Sequence, residues 1–148
     1  MRYIKRFFNK FSKFTRLSLS DKLLIIQSAI LVVGLRFFLK FISFTKLYHI
    51  LKFFYRKPTY YYREYLDYTM KARWAVNIAG NNLLRTRCLG KALALQILLN
   101  RRRIISDLHI GYIRLKTSTS AHAWLTSGDS ILIGDDSNIH LYFQIPID

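Results

Sequence analysis

Apolar residues follow two different periods along this chain, and the period changes near Asp107. Before that point, apolar positions recur at spacings of three and four residues, which is the period of an amphipathic helix. After it, short runs rich in β-branched and aromatic residues are separated by turn residues, as in strands. The pattern therefore predicts several helices followed by an antiparallel sheet, an α+β arrangement in one domain.

Helices are predicted in the first part of the chain at Lys22 to about Phe44, Phe44 to Tyr55, Tyr60 to Ile78 and Cys88 to about Arg103. Ser20 is the expected N-cap of the first helix, because its hydroxyl can accept from free N–H groups of the first turn. Lys57-Pro58-Thr59 is the clearest linker, since the residue before a proline avoids helical angles. Gly80-Asn81-Asn82 is expected to end the third helix.

The last of these helices is apolar on nearly all sides, because its polar positions Lys91, Gln96 and Asn100 occupy one narrow face. A helix of this composition is expected at the buried centre of the fold. Thr86 is its expected N-cap. The arginines at 101–103 complement the negative end of the helix dipole, so they need no nucleic acid to explain them.

Beyond Asp107 the pattern predicts short strands at His109 to Lys116, Ala121 to Thr126, Ile131 to Ile133 and His140 to Ile145. Ser127-Gly128-Asp129 is typical of a hairpin turn between the second and third strands. Such a hairpin would fold position 122 back alongside the mid-130s.

Composition indicates a folded protein with an uneven charge. The chain has 148 residues, 51% of them hydrophobic, which is enough to bury a core of its own. We expect one domain over 1–148, with basic amphipathic helices at 1–57 and the core at 58–148. The net charge is +16, and residues 1–75 carry 16 Lys/Arg against three acids. This excess suits nucleic acid, an anionic membrane surface or an acidic protein partner, and charge alone does not choose among them.

Cysteine usage predicts a reducing, cytoplasmic environment, because the one cysteine leaves no internal disulfide and no signal-peptide pattern is evident. The longest apolar run, Leu23 to Leu35, is shorter than the roughly 20 residues of a membrane span. We therefore expect a core helix or a membrane-surface helix there. His49, His109 and His140 have no metal-ligand spacing with the cysteine, so no metal and no cofactor are expected.

The first candidate catalytic residue is Cys88, at the N-terminus of the predicted central helix. The free N–H groups and positive dipole end of a helix N-terminus, with Arg85 and Arg87 nearby, favour a thiolate over a thiol. A cysteine nucleophile needs a base and an orienting group. His122 lies in a strand between small residues and Asp135 follows the next strand, so the hairpin would bring the two together. Taken alone, however, a single cysteine is more often a small buried hydrophobe and a single strand histidine a structural residue.

Residues 74 to 136 contain a series of short motifs: Arg87-Cys88-Leu89, Ala92-Leu93-Ala94-Leu95, Leu98-Leu99, Ile110-Gly111, Ala121-His122-Ala123-Trp124, Gly128 and Leu132-Ile133-Gly134. In this order and at these separations, the series resembles the lasso-peptide leader peptidases, which are transglutaminase-like cysteine proteases of lasso-peptide biosynthesis. The combination of Cys-Leu with Ala-His-Ala-Trp is fairly specific to this family, whereas alanine-leucine helices are common in proteins. Gly90-Lys91 departs from the family, in which many members carry proline and glutamine beside the nucleophile.

The resemblance implies a papain-like or transglutaminase-like core, in which the central nucleophile helix packs on the C-terminal antiparallel sheet. It implies that Cys88 is the nucleophile, that His122 is the general base and that an acid shortly after Ile133 orients the imidazole. For this acid we favour Asp135, with Asp136 as the alternative.

The resemblance also implies a cytoplasmic cysteine peptidase that removes the leader from a lasso-peptide precursor. Members either carry a fused leader-recognition domain or work with a separate recognition protein, and we expect the second arrangement, together with a macrolactam cyclase. The oxyanion donors would include the Cys88 backbone N–H, with Asn81 and Asn82 as candidates for the second donor. This interpretation involves no nucleic acid, and the basic N-terminal helices allow peripheral contact with a membrane.

Two other classes of function stay open. A basic amphipathic module that binds a membrane surface or nucleic acid, with a structural cysteine, would explain residues 1–57. The second open class is an acyltransferase or an inactive member of the same fold, because thioester chemistry can end in transfer as well as in hydrolysis.

Overall fold

Helices precede strands along the chain, as the change in hydrophobic period predicts. The computed structural model describes residues 17–82, 88–114 and 118–147. Within them the helices are α1 (Leu19–Phe41), α2 (Phe44–Phe54), α3 (Leu66–Asn82) and α4 (Cys88–Arg101). The strands are β1 (Asp107–Arg114), β2 (Thr119–Ser127), β3 (Ser130–Ile133) and β4 (Phe143–Ile145), with short 3-10 turns at Tyr62–Tyr65 and Ile139–Leu141. This order confirms the α+β arrangement.

Helix α4 lies at the centre of the molecule, as its apolar composition predicts. Leu93, Leu95, Leu98 and Leu99 are fully buried. The helix contacts α1 and α3 and also lies against β1, β2 and β3. Burying a leucine side chain contributes about 1.5–3 kcal/mol, so these four residues make α4 the main hydrophobic connection between the helices and the sheet.

Helix α1 packs against α3 and α4 through one narrow stripe, formed by Leu24, Ser28, Val32 and Leu35. The Ser28 hydroxyl donates to the carbonyl oxygen of Leu24 at 2.8 Å, which satisfies the one polar side chain of the stripe. At the start of the helix, Asp21 lies 4.0 Å from Nζ of Lys71 on α3. The side of helix α1 that carries this stripe is therefore part of the hydrophobic core.

The predicted ends of α1 were wrong by a few residues. Its N-cap is Ser18 and not Ser20, because the Ser18 hydroxyl accepts from the N–H of Asp21 at 3.2 Å. Ser20 lies inside the first turn. The helix ends at Phe41 and not near Phe44, because Ile42 adopts an extended conformation before α2 begins.

Helix α3 starts later and ends later than predicted. Tyr60 forms a parallel bridge to Ile104, which holds the chain extended and delays the helix to Leu66. The helix continues past Gly80 to Asn82, since the buried Ala79 extends its core-facing stripe and one helical glycine costs only about 1 kcal/mol.

The end of α4 is also earlier than predicted, at Arg101. Arg103 has a left-handed φ of 57°, and its carbonyl oxygen accepts from the N–H groups of Thr59 and Tyr60 at 2.8 and 3.0 Å. These hydrogen bonds replace a further helical turn.

The sheet is antiparallel throughout, with strand order β3-β2-β1-β4. Gly128 and Asp129 form the turn between β2 and β3, which confirms the predicted hairpin. Leu108 pairs with Leu125, and both belong to the core that α4 completes. The predicted strand from His140 to Ile145 is shorter, because a 3-10 turn occupies Ile139–Leu141 and β4 begins only at Phe143.

Some predictions fall on residues outside the described ranges. They are the first sixteen residues of the basic region predicted at 1–57, the N-cap at Thr86 and the two arginines at 85 and 87.

Candidate active site

Cys88 is the first residue of α4. It is partly exposed and forms no disulfide. The N–H groups of a first helical turn have no partner within their own helix, so the backbone here can donate to a negatively charged oxygen beside the sulfur.

The three candidate catalytic residues line one cavity of about 330 Å³. Cys88 comes from α4, His122 from β2, and Asp135 from the segment that follows β3. The other lining residues are Arg73, Asn77, Lys91, Ile133 and Gly134. Residues far apart in the sequence are thus brought together by the packing of α4 on the β2–β3 hairpin.

The imidazole of His122 is held by a backbone hydrogen bond. Its Nε2 atom lies 2.7 Å from the carbonyl oxygen of Gly134. A carbonyl oxygen can only accept, so Nε2 carries the proton, and Nδ1 is the free acceptor of the neutral ring. This tautomer leaves Nδ1 as the atom that can take a proton from a nucleophile.

Aromatic rings further restrict the orientation of His122. The ring stacks on Trp124, two residues along β2, with centroids 6.1 Å apart, and lies 5.5 Å from the ring of Tyr142. Gly111 pairs with His122 across the sheet. A Cβ at Gly111 would lie 2.9 Å from Cβ of Tyr142, so glycine at this position leaves room for the aromatic cluster.

Gly134 is constrained both by conformation and by space. Its φ is +84°, in the left-handed region that favours glycine, and a Cβ there would lie 2.6 Å from the carbonyl oxygen of Ala123. The backbone can therefore approach β2 closely enough for the Gly134 carbonyl to reach His122. This explains why a glycine follows Ile133.

The two candidate acids have different surroundings. Asp135 is exposed and lines the cavity, but the hydrogen bond that His122 forms goes to Gly134. Asp136 accepts from the N–H of Asn138 at 3.0 Å and lies 3.5 Å from the hydroxyl of Tyr142, so it stabilises the following turn. The role of Asp135 as the orienting acid stays a prediction.

Two polar side chains in the cavity, Arg73 and Asn77 on α3, were not recognised as site residues from the sequence. Lys91 on α4 was noted there as a departure from the family beside the nucleophile and not as a site residue. Asn77 lies among Ala75, Val76 and Ala79, and a polar side chain amid buried apolar neighbours was the available signal. Arg73 and Lys91 bring two positive charges to a cavity whose described lining has one carboxylate, that of Asp135, so this lining favours negative charge.

Of the two asparagines proposed as oxyanion donors, Asn81 is not among the described residues that line this cavity. Asn81 accepts from Nζ of Lys91 at 2.5 Å and lies in a neighbouring groove of about 310 Å³. The side chain of Asn82 is outside the described part of the structure. Asn77 is the amide that reaches the Cys88 cavity, and together with Arg73 it also borders the groove.

A comparison with protein families assigns the fold. The family model of the transglutaminase-like superfamily matches residues 31–145. The chain belongs to the transglutaminase-like superfamily. This superfamily includes cysteine peptidases and commonly contains cysteine hydrolases and transferases.

The match to the transglutaminase-like superfamily extends from α1 to β4 and contains all the described residues that line the cavity. No curated protein and no solved structure gives a significant match. The comparisons therefore support the transglutaminase-like fold and do not identify a substrate.

Proposed function

We propose that this protein is a cysteine peptidase that removes the leader from a lasso-peptide precursor. The observation that carries the proposal is that Cys88, at the start of α4, and His122, anchored through Nε2, line the same cavity. This is the arrangement that nucleophilic catalysis by a thiol requires, with a base whose free nitrogen is defined. The motif resemblance described above supplies the substrate class.

The first half-reaction forms a thioester. Nδ1 of His122 takes the proton of the Cys88 thiol, and the sulfur attacks the carbonyl carbon at the leader–core junction. When the tetrahedral intermediate collapses, the C–N bond breaks and the departing core amine receives the proton from Nδ1. The leader then remains bound to Cys88 through its carbonyl carbon.

The second half-reaction hydrolyses the thioester. His122 takes a proton from water as the oxygen attacks the carbonyl carbon, and then returns a proton to the sulfur as the C–S bond breaks. The leader leaves as a free acid, and Cys88 is regenerated. Transfer to an amine instead of water would make the same site an acyltransferase.

Negative charge develops on the carbonyl oxygen in both half-reactions. The backbone N–H of Cys88 is one donor for this oxygen, and we assign the side-chain amide of Asn77 as the second. Two positive side chains, Arg73 and Lys91, line the same cavity and add to the favourable field.

The neighbouring groove suits an extended peptide substrate. It is lined mainly by one face of α3, including Met70, Trp74 and Ile78, and adjoins the Cys88 cavity, with which it shares the lining residues Arg73 and Asn77. Apolar side chains beside a polar reaction site can hold a substrate residue close to the cleaved bond and fix its register.

The decisive experiment is cleavage of a precursor peptide in the presence of its separate recognition protein, followed by mass spectrometry. Genes for a short precursor, a recognition protein and a macrolactam cyclase adjacent to this gene would identify the correct peptide. The native protein should yield leader acid and free core amine, and Cys88→Ala should yield neither. Asp129→Asn, in the exposed turn between β2 and β3, is the matched control and should cleave normally.

Cleavage by Cys88→Ala at the native rate would contradict the proposal. Accumulation of an amide of the leader with an added amine, and no leader acid, would indicate an acyltransferase instead.

A further inference from the structure

Helix α1 has a second apolar stripe, opposite the one that packs on the core. Its members recur at spacings of three and four residues: Leu19, Leu23, Ile26, Ile30, Val33, Phe37 and Phe41. At 100° per residue, this stripe is centred on the opposite side of the helix from Leu24, Ser28 and Leu35. Helix α1 is therefore apolar on two opposite faces, and only one of them is buried.

The second stripe is well exposed along the whole helix. The exposed fraction is 74% at Leu19, 67% at Ile30, 61% at Phe37 and 66% at Phe41. Single exposed apolar residues are ordinary on protein surfaces, but a continuous exposed apolar stripe of this length marks a surface that binds a membrane or another protein.

Positive charge lies along one edge of this stripe. Residues 17–57 contain seven Lys/Arg and a single acid, Asp21. Lys22 and Lys40 lie on the same side of α1, at one edge of the stripe, and Nζ of Lys40 is 5.7 Å from the ring of Phe41. The surface thus combines aliphatic and phenylalanine side chains with basic residues along one edge.

We propose that α1 lies in the surface of an anionic lipid bilayer, with the Leu19-to-Phe41 stripe at the boundary between head groups and acyl chains. Helices with one strongly apolar face and Lys/Arg beside it bind in this way, and each basic residue adds attraction to anionic lipid. A non-obligate protein interface is only about as apolar as the rest of a protein surface, whereas this stripe is apolar at every position. The proposal is independent of the peptidase function.

The arrangement is peripheral and does not cross the membrane. By length and composition alone α1 could span a bilayer, since it has 23 residues and contains an 18-residue window with a mean hydropathy of 2.0, but core helices of soluble proteins and signal sequences share this property. Its other face is buried against α3 and α4 through Leu24, Val32 and Leu35. Inserting α1 across a membrane would remove these residues from the core and place Arg36 inside the hydrocarbon region.

The test is flotation of the full chain with lipid vesicles. One set contains phosphatidylcholine alone, and the other contains equal parts of phosphatidylcholine and phosphatidylglycerol. The native protein should bind the anionic vesicles and lose affinity as salt rises. The double variant Ile30→Ser/Phe37→Ser should bind at least about a hundredfold more weakly, because two apolar side chains no longer enter the bilayer.

Two further variants separate the contributions. Lys40→Gln should weaken binding to anionic vesicles about fivefold. Leu66→Ser/Leu141→Ser replaces apolar residues that are 50% and 49% exposed outside α1, and should bind like the native protein. Circular dichroism of each variant must match that of the native protein, which is expected because the altered side chains are exposed.

Absence of binding to anionic vesicles would overturn the proposal. So would a stable dimer that Ile30→Ser/Phe37→Ser converts to a monomer, or tight binding of an acidic protein partner that the same variant abolishes while vesicle binding is unchanged. Resistance of the bound protein to alkaline carbonate would show a spanning helix and would also overturn it. Each result can be obtained whether or not the protein cleaves a precursor.

Discussion

His122 donates from Nε2 to the backbone carbonyl oxygen of Gly134 at 2.7 Å. This hydrogen bond determines the ring tautomer without a carboxylate, since a carbonyl oxygen can only accept. In serine-protease triads the corresponding task falls to an aspartate, and its replacement by asparagine lowers kcat by about 10⁴-fold because the ring takes the wrong tautomer. In this protein the tautomer is independent of the adjacent acid.

Asp135→Asn should therefore lower kcat by only about tenfold, through weaker electrostatic support of the imidazolium, and His122→Gln should abolish cleavage. The measurement is kcat for leader removal from the precursor. Asp136→Asn is the matched control and should leave kcat within about twofold, because Asp136 serves the turn at Asn138. A loss of about a thousandfold or more in Asp135→Asn would show that the acid, and not Gly134, orients the base.

Gly134→Ala should impair both stability and catalysis. The new Cβ would lie 2.6 Å from the Ala123 carbonyl oxygen, so the backbone must shift and displace the oxygen that holds His122. Gly128→Ala is the matched control, because Gly128 also has a positive φ, of 56°, but its Cβ would contact nothing within 4 Å.

We expect Gly128→Ala to lower the free energy of unfolding by about 1 kcal/mol with no change in kcat, and Gly134→Ala to lower it by more than about 2 kcal/mol. Urea unfolding measures the free energy of unfolding, and the cleavage assay measures kcat. Equal effects of the two substitutions on stability, with kcat unchanged in both, would contradict the assigned role of Gly134.

Asn77→Ala should lower kcat by about 10²–10³-fold and leave KM nearly unchanged, because an oxyanion donor acts mainly in the transition state. The rate at which iodoacetamide alkylates Cys88 should not change, since alkylation forms no oxyanion. Asn138→Ala is the matched control, because the exposed Asn138 is not among the described residues that line the Cys88 cavity or the groove, and its kcat should stay near the native value. A rise in KM alone in Asn77→Ala would mean that the amide binds substrate instead.

The order of elements and the hairpin were predictable because both depend on local pattern. The period change near Asp107 separates helices from strands, and Ser127-Gly128-Asp129 specifies its own turn. The start of α3 was not predictable in the same way. It depends on the bridge between Tyr60 and Ile104, which lie far apart in the chain and whose helical or extended state is decided by tertiary contacts.

The candidate site could be predicted from the sequence only where side-chain type carries the chemistry. Cys88 and His122 were recognised in this way, and the structure places both in one cavity. The acceptor for His122 is a main-chain oxygen, which has no signature in residue identity. Asn77 comes from α3, and its approach to Cys88 results from the packing of α3 on α4, which one sequence does not report.

Tyr55→Phe should change how stability depends on pH. Burial, followed by the influence of Tyr48, raises the pKa of Tyr55 above its ordinary value near 10, and its hydroxyl donates to Oε1 of Gln96 at 3.1 Å. At neutral pH the variant should lose about 1–2 kcal/mol, because it leaves the buried amide oxygen of Gln96 without this donor. As pH rises above the ordinary value, the unfolded tyrosine loses its proton while the folded one keeps it, so native stability falls and the difference between the two proteins shrinks. Urea unfolding at neutral and alkaline pH measures the difference in stability between the native protein and Tyr55→Phe. Tyr112→Phe, at a partly exposed tyrosine, is the control. A stability difference that stays constant with pH would contradict the raised pKa of Tyr55.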